Sequence, residues 1–135
     1  MSSRKNLARV SEKDLPRLAQ RILRLLKVRG ATLDIFLLSH REITAFKARF
    51  IKRRTEPNVL AFPEPPRFPH PETKRRYLGE IYLNRDILRK NPERTAPLLA
   101  HGILHLLGYD HKRPRDIKKM ETLEKKLVST VARAV

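Results

Sequence analysis

The segment "HGILHLLGYDH", residues 101–111, constrains the fold more than any other part of the chain. Its three histidines are spaced four and then six residues apart. Residues four apart on an α-helix differ by about 40° around the axis and about 6 Å along it, so His101 and His105 share one face. On a continued helix, His111 would lie about 240° around the axis from His105 and would face away. The three imidazoles can converge only if the helix ends before His111.

Gly108 is the residue that permits this ending, because glycine readily adopts the left-handed conformation found just beyond helix C-termini. The chain has no cysteine, so a metal cannot be held by thiolates. Three neutral imidazoles fill three corners of a tetrahedron and leave the fourth for water, which is typical of catalytic zinc sites. The spacing therefore predicts one Zn²⁺ per chain, bound by His101, His105, His111 and a water molecule.

The residue after the first histidine indicates which chemistry this site supports. Zinc peptidases of the HExxH type place a glutamate there as the general base. Here that position is Gly102, which cannot carry a proton, so peptide hydrolysis by that mechanism is not supported. The nearest acid is Asp110, which could orient a ligand imidazole or simply belong to the turn, and both roles stay open. No general base is identifiable.

The rest of the chain alternates between helical and extended patterns. Apolar residues at helical spacing predict a first helix beginning near Leu15, with Asp14 as its N-cap and Gly30 as its C-terminal stop. Thr95 is predicted to cap the central helix, which carries the histidines. The remaining predicted elements are strands at 32–39, 58–62 and 78–84, a helix at about 41–50, at most two turns at 85–90, the central helix at 95–107 and a last helix at about 114–132. This interleaving predicts a single α+β domain, residues 1–135, with a small mixed sheet packed by helices and a zincin-like, metal-bearing central helix.

Charge gives an independent indication of the partner. Thirty-one Lys and Arg against fourteen Asp and Glu give a net charge of +17. A chain this basic attracts polyanions, and each neutralised phosphate releases a counterion, so an RNA or ribosome partner is favoured. No run is apolar enough for a secretion signal or a membrane span, and no basic amphipathic segment carries aromatic anchors. We therefore expect a cytoplasmic protein with neither a membrane nor DNA as its partner.

Residues 101–111 resemble, over their whole length, the signature H-G-x-L-H-L-x-G-Y-D-H of the YbeY family of bacterial rRNA maturation factors. "PNVLAFP" (57–63) is similar to that family's P-T-[DN]-V-L-S-F-P, and "LGEIYLN" (78–84) to its L-G-D-I-x-I segment. The later "KKMETLEKKLV" resembles the family's final helix, so the likeness extends over most of the chain.

The resemblance implies an α+β fold and a zinc-dependent endoribonuclease specific for single strands. It assigns zinc-ligand roles to His101, His105 and His111. It further implies action on the 3′ end of 16S rRNA, a part in ribosome quality control, and association with the small ribosomal subunit or its assembly factors.

Among the chain's departures from the family, the arginine that lies seven residues before the Asn of "NVLAF" is replaced here by Ile51. The adjacent Lys52, Arg53 and Arg54 are candidates for the missing RNA or phosphate contact. Two alternatives stay open at this point. One is a non-catalytic, zinc-containing assembly factor that binds small-subunit rRNA, and the other, less favoured because of Gly102, is a metallopeptidase.

Overall fold

A computed structural model of the chain describes residues 12–50, 58–64, 76–109 and 114–133. These ranges contain five α-helices and three β-strands, which confirms the predicted α+β class. In chain order the elements are α1 (Leu15–Leu25), β1 (Ala31–Leu38), α2 (His40–Phe50), β2 (Val59–Pro63), β3 (Arg76–Asn84), α3 (Arg85–Lys90), α4 (Thr95–Leu106) and α5 (Pro114–Arg133). Short 3₁₀ turns precede α1 and α4.

The sheet is mixed, as predicted, with β3 between the two other strands. β1 pairs with β3 in parallel, and β2 pairs with β3 in antiparallel orientation. Ile81 of β3 therefore lies between Ile35 of β1 and Ala61 of β2. Because alternate residues of a strand point to opposite faces, Ile81 and Leu83 share one face, and both are fully buried.

A bulge at Gly79 interrupts the pairing of β1 with β3. Thr32 faces Tyr77, whereas Asp34 faces Glu80, so β3 carries one extra residue. Gly79 has a φ of +136°, and a Cβ atom there would lie 2.2 Å from the carbonyl oxygen of Phe62. Only glycine fits this bend, which sets the register of Ile81 and Leu83 beneath α4.

Helix α4 packs on the face of the sheet that carries Ile81 and Leu83. Leu99 and Ile103 of α4 are fully buried there, and α1 and α5 complete the same core. Met120 and Leu127 of α5 are buried in this core as well.

The opposite face of the sheet carries a group of aromatic rings. Tyr82 stacks on Phe36 with ring centroids 5.0 Å apart, and it also contacts Phe46 of α2 at 4.9 Å and Phe62 of β2 at 5.8 Å. Ile43 of α2 is fully buried. α2 thus packs opposite α4, and the sheet lies between two helical layers.

Two predictions about helix ends were wrong, the stop at Gly30 and the cap at Thr95. α1 ends at Leu25, and the residue that follows its C-cap in a left-handed conformation is Lys27, with a φ of 61°. Gly30 also has a positive φ, of 64°, but it lies three residues further along and does not end the helix. The Lys27 and Val28 amides donate to carbonyls of the last turn, and Val28 packs on the core, which favours this earlier stop. The predicted N-cap of α1 is confirmed in position, because Asp14 is the N-cap residue, although its side chain makes no cap hydrogen bond.

Thr95 does not cap α4; it lies buried inside the helix, whose N-cap is Arg94. The 3₁₀ turn Pro92–Arg94 runs directly into α4 with Arg94 already in the helical region, so no side-chain cap is used.

Candidate metal centre

The two histidines of α4 are partly exposed, as are residues 96–98 in its first turn, whereas most of the helix is buried. The buried residues of α4 are Thr95, Leu99, Ala100, Gly102, Ile103, Leu104 and Leu106. Gly102 faces the sheet, and His101 lies about 100° around the helix from it. The imidazoles therefore emerge beside the sheet, where α4 meets α5.

The imidazoles of His101 and His105 converge through their Nε2 atoms, which lie 3.0 Å apart. Their ring centroids are 4.6 Å apart and the ring planes are inclined at 72°. Two nitrogen ligands of a tetrahedral zinc ion, each about 2.0–2.1 Å from the metal, are separated by about 3.3 Å. The prediction that the two side chains share one face is thus confirmed, and their separation is close to that of a ligand pair.

The end of α4 follows the course that the spacing requires. Gly108 has a φ of +100°, its amide donates to the His105 carbonyl at 3.0 Å, and the Tyr109 amide donates to the Leu104 carbonyl at 3.0 Å. This pair of hydrogen bonds is a Schellman motif. The predicted helix stop at Gly108 is confirmed. His111 and Asp110 lie outside the described residues, so the third ligand and the role of Asp110 stay predictions.

A carboxylate that the sequence analysis did not single out contacts the first histidine. Oε1 of Glu124, on α5, lies 2.5 Å from Nδ1 of His101. The two side chains are 28 % and 23 % exposed, respectively. The sequence did contain a signal, because Glu124 falls within the apolar stripe of α5, four residues after Met120 and three before Leu127. A charged residue at such a position generally has a partner.

Glu124 contacts Nδ1 of His101, whereas His105 faces Nε2 on the other side of that ring. Glu124 is therefore next to the histidine pair but does not face the space between the two Nε2 atoms. Across the described ranges, no group of three or more His, Cys, Asp or Glu side chains is placed to hold a metal. The donor chemistry of the pair nevertheless fits zinc, since imidazole nitrogen is one of its usual ligands.

A glutamate base at position 102 would not fit this arrangement. A Cβ atom on Gly102 would lie 3.1 Å from Cγ2 of Ile81 and 3.3 Å from Cγ2 of Val59. A side chain there would point into the sheet and away from the flank that carries the imidazoles. The absence of the peptidase glutamate therefore has a packing cause in this fold.

Positive charge lies on the outer surface of α5, the helix that provides Glu124. Among residues 115–130 of this helix, the exposed cations are Arg115, Lys118, Lys119, Lys125 and Lys126, and the exposed acid is Glu121. The candidate contacts Lys52, Arg53 and Arg54 lie outside the described residues and stay predictions. None of the helices in the described part of the chain is both long and apolar enough to span a membrane.

Comparison with known proteins agrees with the signature at residues 101–111. The profile of the family described as Endoribonuclease YbeY matches residues 1–132. The chain is 36 % identical over 114 residues to an Endoribonuclease YbeY of Myxococcus xanthus, covering 76 % of this chain and 37 % of the relative. It is 32 % identical over 104 residues to one of Ehrlichia canis, covering 71 % and 64 %.

A third relative matches over most of both proteins. It is an Endoribonuclease YbeY of Thermobifida fusca, 30 % identical over 130 residues, which cover 87 % of this chain and 84 % of the relative. The aligned part spans less than two thirds of the first two relatives, but the family profile extends over nearly the whole chain. The chain therefore belongs to the YbeY family.

Proposed function

We propose that this chain is a zinc-dependent endoribonuclease that cleaves single-stranded ribosomal RNA. The observation that carries the proposal is the convergence of the His101 and His105 Nε2 atoms, 3.0 Å apart, on a helix that stops at Gly108. The name that its relatives share, Endoribonuclease, supports the reaction class. The net charge of +17 supports a polyanionic substrate.

In this proposal, His101, His105 and His111 hold the zinc ion and leave a fourth position for water. Zinc bound in this way supplies a Lewis acid for a phosphoryl oxygen and lowers the pKa of its water toward neutrality. The role of α4 is to keep the first two imidazoles in place. Its burial against Ile81 and its Schellman ending restrict the motion of both.

The cations have a separate task, which is to bind and orient the RNA backbone. Lys52, Arg53 and Arg54 are proposed to stabilise charge that develops on the phosphoryl group during cleavage. Arginine suits this role because its guanidinium can contact two phosphate oxygens at once. The proposed substrate is the 3′ region of 16S rRNA, and the proposed partners are the small ribosomal subunit or its assembly factors, in rRNA maturation and ribosome quality control.

A peptidase is disfavoured by the close contact of Gly102 with the sheet, which leaves no space for the glutamate base. A non-catalytic assembly factor would share the RNA affinity and the metal but would lack cleavage. The endoribonuclease and the assembly factor therefore differ in one measurable property, the cleavage of RNA.

The test uses the full-length protein, stripped of metal and reloaded with zinc, and single-stranded fragments from the 3′ region of 16S rRNA. Wild type should bind about one zinc per chain and cleave, and His105→Ala should cleave at least about 100-fold more slowly. His70→Ala, which removes an imidazole that the proposal does not use, is the matched control. Equal cleavage by wild type and His105→Ala would identify a contaminating nuclease and overturn the proposal. RNA binding without cleavage by any of the proteins would favour the assembly factor.

A further inference from the structure

We propose that Glu124 is a positioning residue of the metal centre. It accepts a hydrogen bond from Nδ1–H of His101 and so keeps the lone pair of the ring on Nε2, directed toward the site. This inference rests on the proposed metal site, but its principal readouts do not depend on RNA cleavage.

The two ring nitrogens of His101 have different partners. Nδ1 lies 2.5 Å from Oε1 of Glu124, and Nε2 lies 3.0 Å from Nε2 of His105. A neutral imidazole carries one proton, on one nitrogen or the other. If that proton were on Nε2, a bare Nδ1 lone pair would face a carboxylate oxygen at 2.5 Å, and two acceptors repel each other at that distance. The neutral ring must therefore carry its proton on Nδ1, which leaves the lone pair on Nε2, the nitrogen that faces His105.

Packing holds the carboxylate at this nitrogen. Glu124 projects from α5 beside Met120 and Leu127, which are 0 % and 5 % exposed and anchor that face of the helix in the core. The Glu124 side chain is 23 % exposed, so competition from water is limited. The orientation of the His101 ring is thus set by the packing of α5 on α4.

The expected consequence is an effect on metal affinity. Metal-binding histidines commonly donate their other N–H to a carboxylate, which fixes the tautomer and raises the basicity of the ligand. Loss of such a partner typically weakens metal binding by about 10–100-fold. A carboxylate that only joined α5 to α4 would change the free energy of unfolding without changing the His101 tautomer.

The first experiment measures zinc affinity by competition with a chromophoric chelator, using the full-length protein. Glu124→Ala should raise the zinc Kd by about 10–100-fold. Glu124→Gln should have a smaller effect, because its amide oxygen can still accept from Nδ1–H but carries no charge. Glu121→Ala, one turn earlier on the exposed face of α5, is the control and should stay within about twofold of wild type.

The second experiment determines the His101 tautomer in metal-free protein from imidazole ¹⁵N NMR shifts, assigned by comparison with His101→Gln. Wild type and Glu124→Gln should carry the proton on Nδ1, and Glu124→Ala should show a mixture or the Nε2–H form. A third measurement places Glu124→Ala in the His101→Ala background, where it should have no further effect on zinc Kd, because the coupling runs through that ring.

The results separate the two proposals. If wild type binds no zinc, the proposed metal centre fails, and the NMR experiment still decides whether Glu124 orients the ring. If wild type binds zinc, but Glu124→Ala and Glu121→Ala bind it equally well with an unchanged tautomer, the positioning role is overturned and the metal centre stands. An equal loss of zinc affinity on Glu124→Ala with and without His101 would also contradict the inference.

Discussion

Gly102 and Ile81 are in such close approach that α4 and β3 leave no ordinary space for a side chain between them. A Cβ atom on Gly102 would lie 3.1 Å from Cγ2 and 3.2 Å from Cδ1 of Ile81. The same approach orients α4 so that His101 lies on its flank beside α5. The packing that excludes a peptidase glutamate thus also positions the first proposed ligand.

Substitution of Gly102 should destabilise the fold. In Gly102→Ala, overpacking costs about 1–3 kcal/mol, and the better helix propensity of alanine offsets about 1 kcal/mol, so we expect a net loss of about 1 kcal/mol. Gly102→Glu would also bury a carboxylate against Ile81 and Val59. We expect this variant to lose several kcal/mol of unfolding free energy or to fail to fold. Urea unfolding measures both effects.

A double-mutant cycle tests the stated cause. Ile81→Val removes the Cδ1 atom, so Gly102→Ala should cost less in that background than in wild type. Equal costs in the two backgrounds would show that the contact with Cδ1 of Ile81 is not what makes glycine necessary.

Alanine should be tolerated less well at Gly79, in the β-bulge, than at Gly102, where α4 contacts the sheet. Gly79→Ala would place a Cβ atom 2.2 Å from the Phe62 carbonyl oxygen at a φ of +136°, and backbone cannot yield as a flexible side chain can. We expect a loss of about 3 kcal/mol or more in unfolding free energy. Gly30→Ala is the matched control, because Gly30 has a φ of +64° but nothing within 4 Å of an added Cβ, and it should cost only about 1–2 kcal/mol. Similar losses for the two variants would refute the steric argument at Gly79.

Much of this fold could be predicted from local patterns. Apolar spacing in α5 and the alternation of Ile81 and Leu83 depend on helix and strand periodicity alone, and the structure bears both out. The strand order, with β3 between β1 and β2, was not predicted, because it depends on pairing between distant segments. Helix ends were predicted unevenly, because α4 stops at Gly108 as expected, whereas α1 ends at Leu25 and Val28 packs on the core before Gly30 is reached.

The same limit applies to the candidate site: its features within one segment were predictable, and its contact between distant segments was not. The shared face of His101 and His105 and the stop at Gly108 follow from spacing within one segment. Glu124 lies 23 residues beyond His101, and its contact exists only because α5 packs on α4. The sequence could mark Glu124 as a charged residue within an apolar stripe, but its partner depends on tertiary packing.

The phenol of Tyr82 should make the fold sensitive to alkaline pH. Burial of the ring, followed by its hydrogen bond to Glu80, raises the pKa of Tyr82 from 10.0 to about 12. Because the pKa of Tyr82 is higher in the folded than in the unfolded protein, the protonated phenol stabilises the fold. This contribution is fully present below about pH 10 and is lost as pH rises through about 12. Between about pH 9 and pH 12, the free energy of unfolding of Tyr82→Phe should therefore fall by about 1–2 kcal/mol less than that of wild type.

Urea unfolding at both pH values gives the change in unfolding free energy with pH for each protein. Because this change is taken within one protein, the stability that Tyr82→Phe loses at every pH with its hydrogen bond cancels. Parallel losses in wild type and Tyr82→Phe would assign the alkaline sensitivity to other groups.

The exposed lysines of α5 should contribute to RNA affinity in the proposed function. Lys118 and Lys125 are seven residues apart, so they lie nearly in line along the exposed surface of the helix that provides Glu124. If each contacts one phosphate, the double variant Lys118→Gln/Lys125→Gln should bind single-stranded RNA more weakly whatever its sequence. The slope of log K against log salt should also become shallower by about 0.7 per lost contact, or about 1.4 in total.

Arg17→Gln/Arg24→Gln is a matched control, because it removes two exposed cations, also seven residues apart, from α1. Both variants lower the net charge equally, so a long-range effect of overall charge would weaken RNA binding equally in the two proteins. A shallower slope confined to the α5 variant would place the RNA backbone along this helix, next to the histidine pair. Equal slopes would instead assign the RNA affinity to the net charge or to cations elsewhere, including Lys52, Arg53 and Arg54.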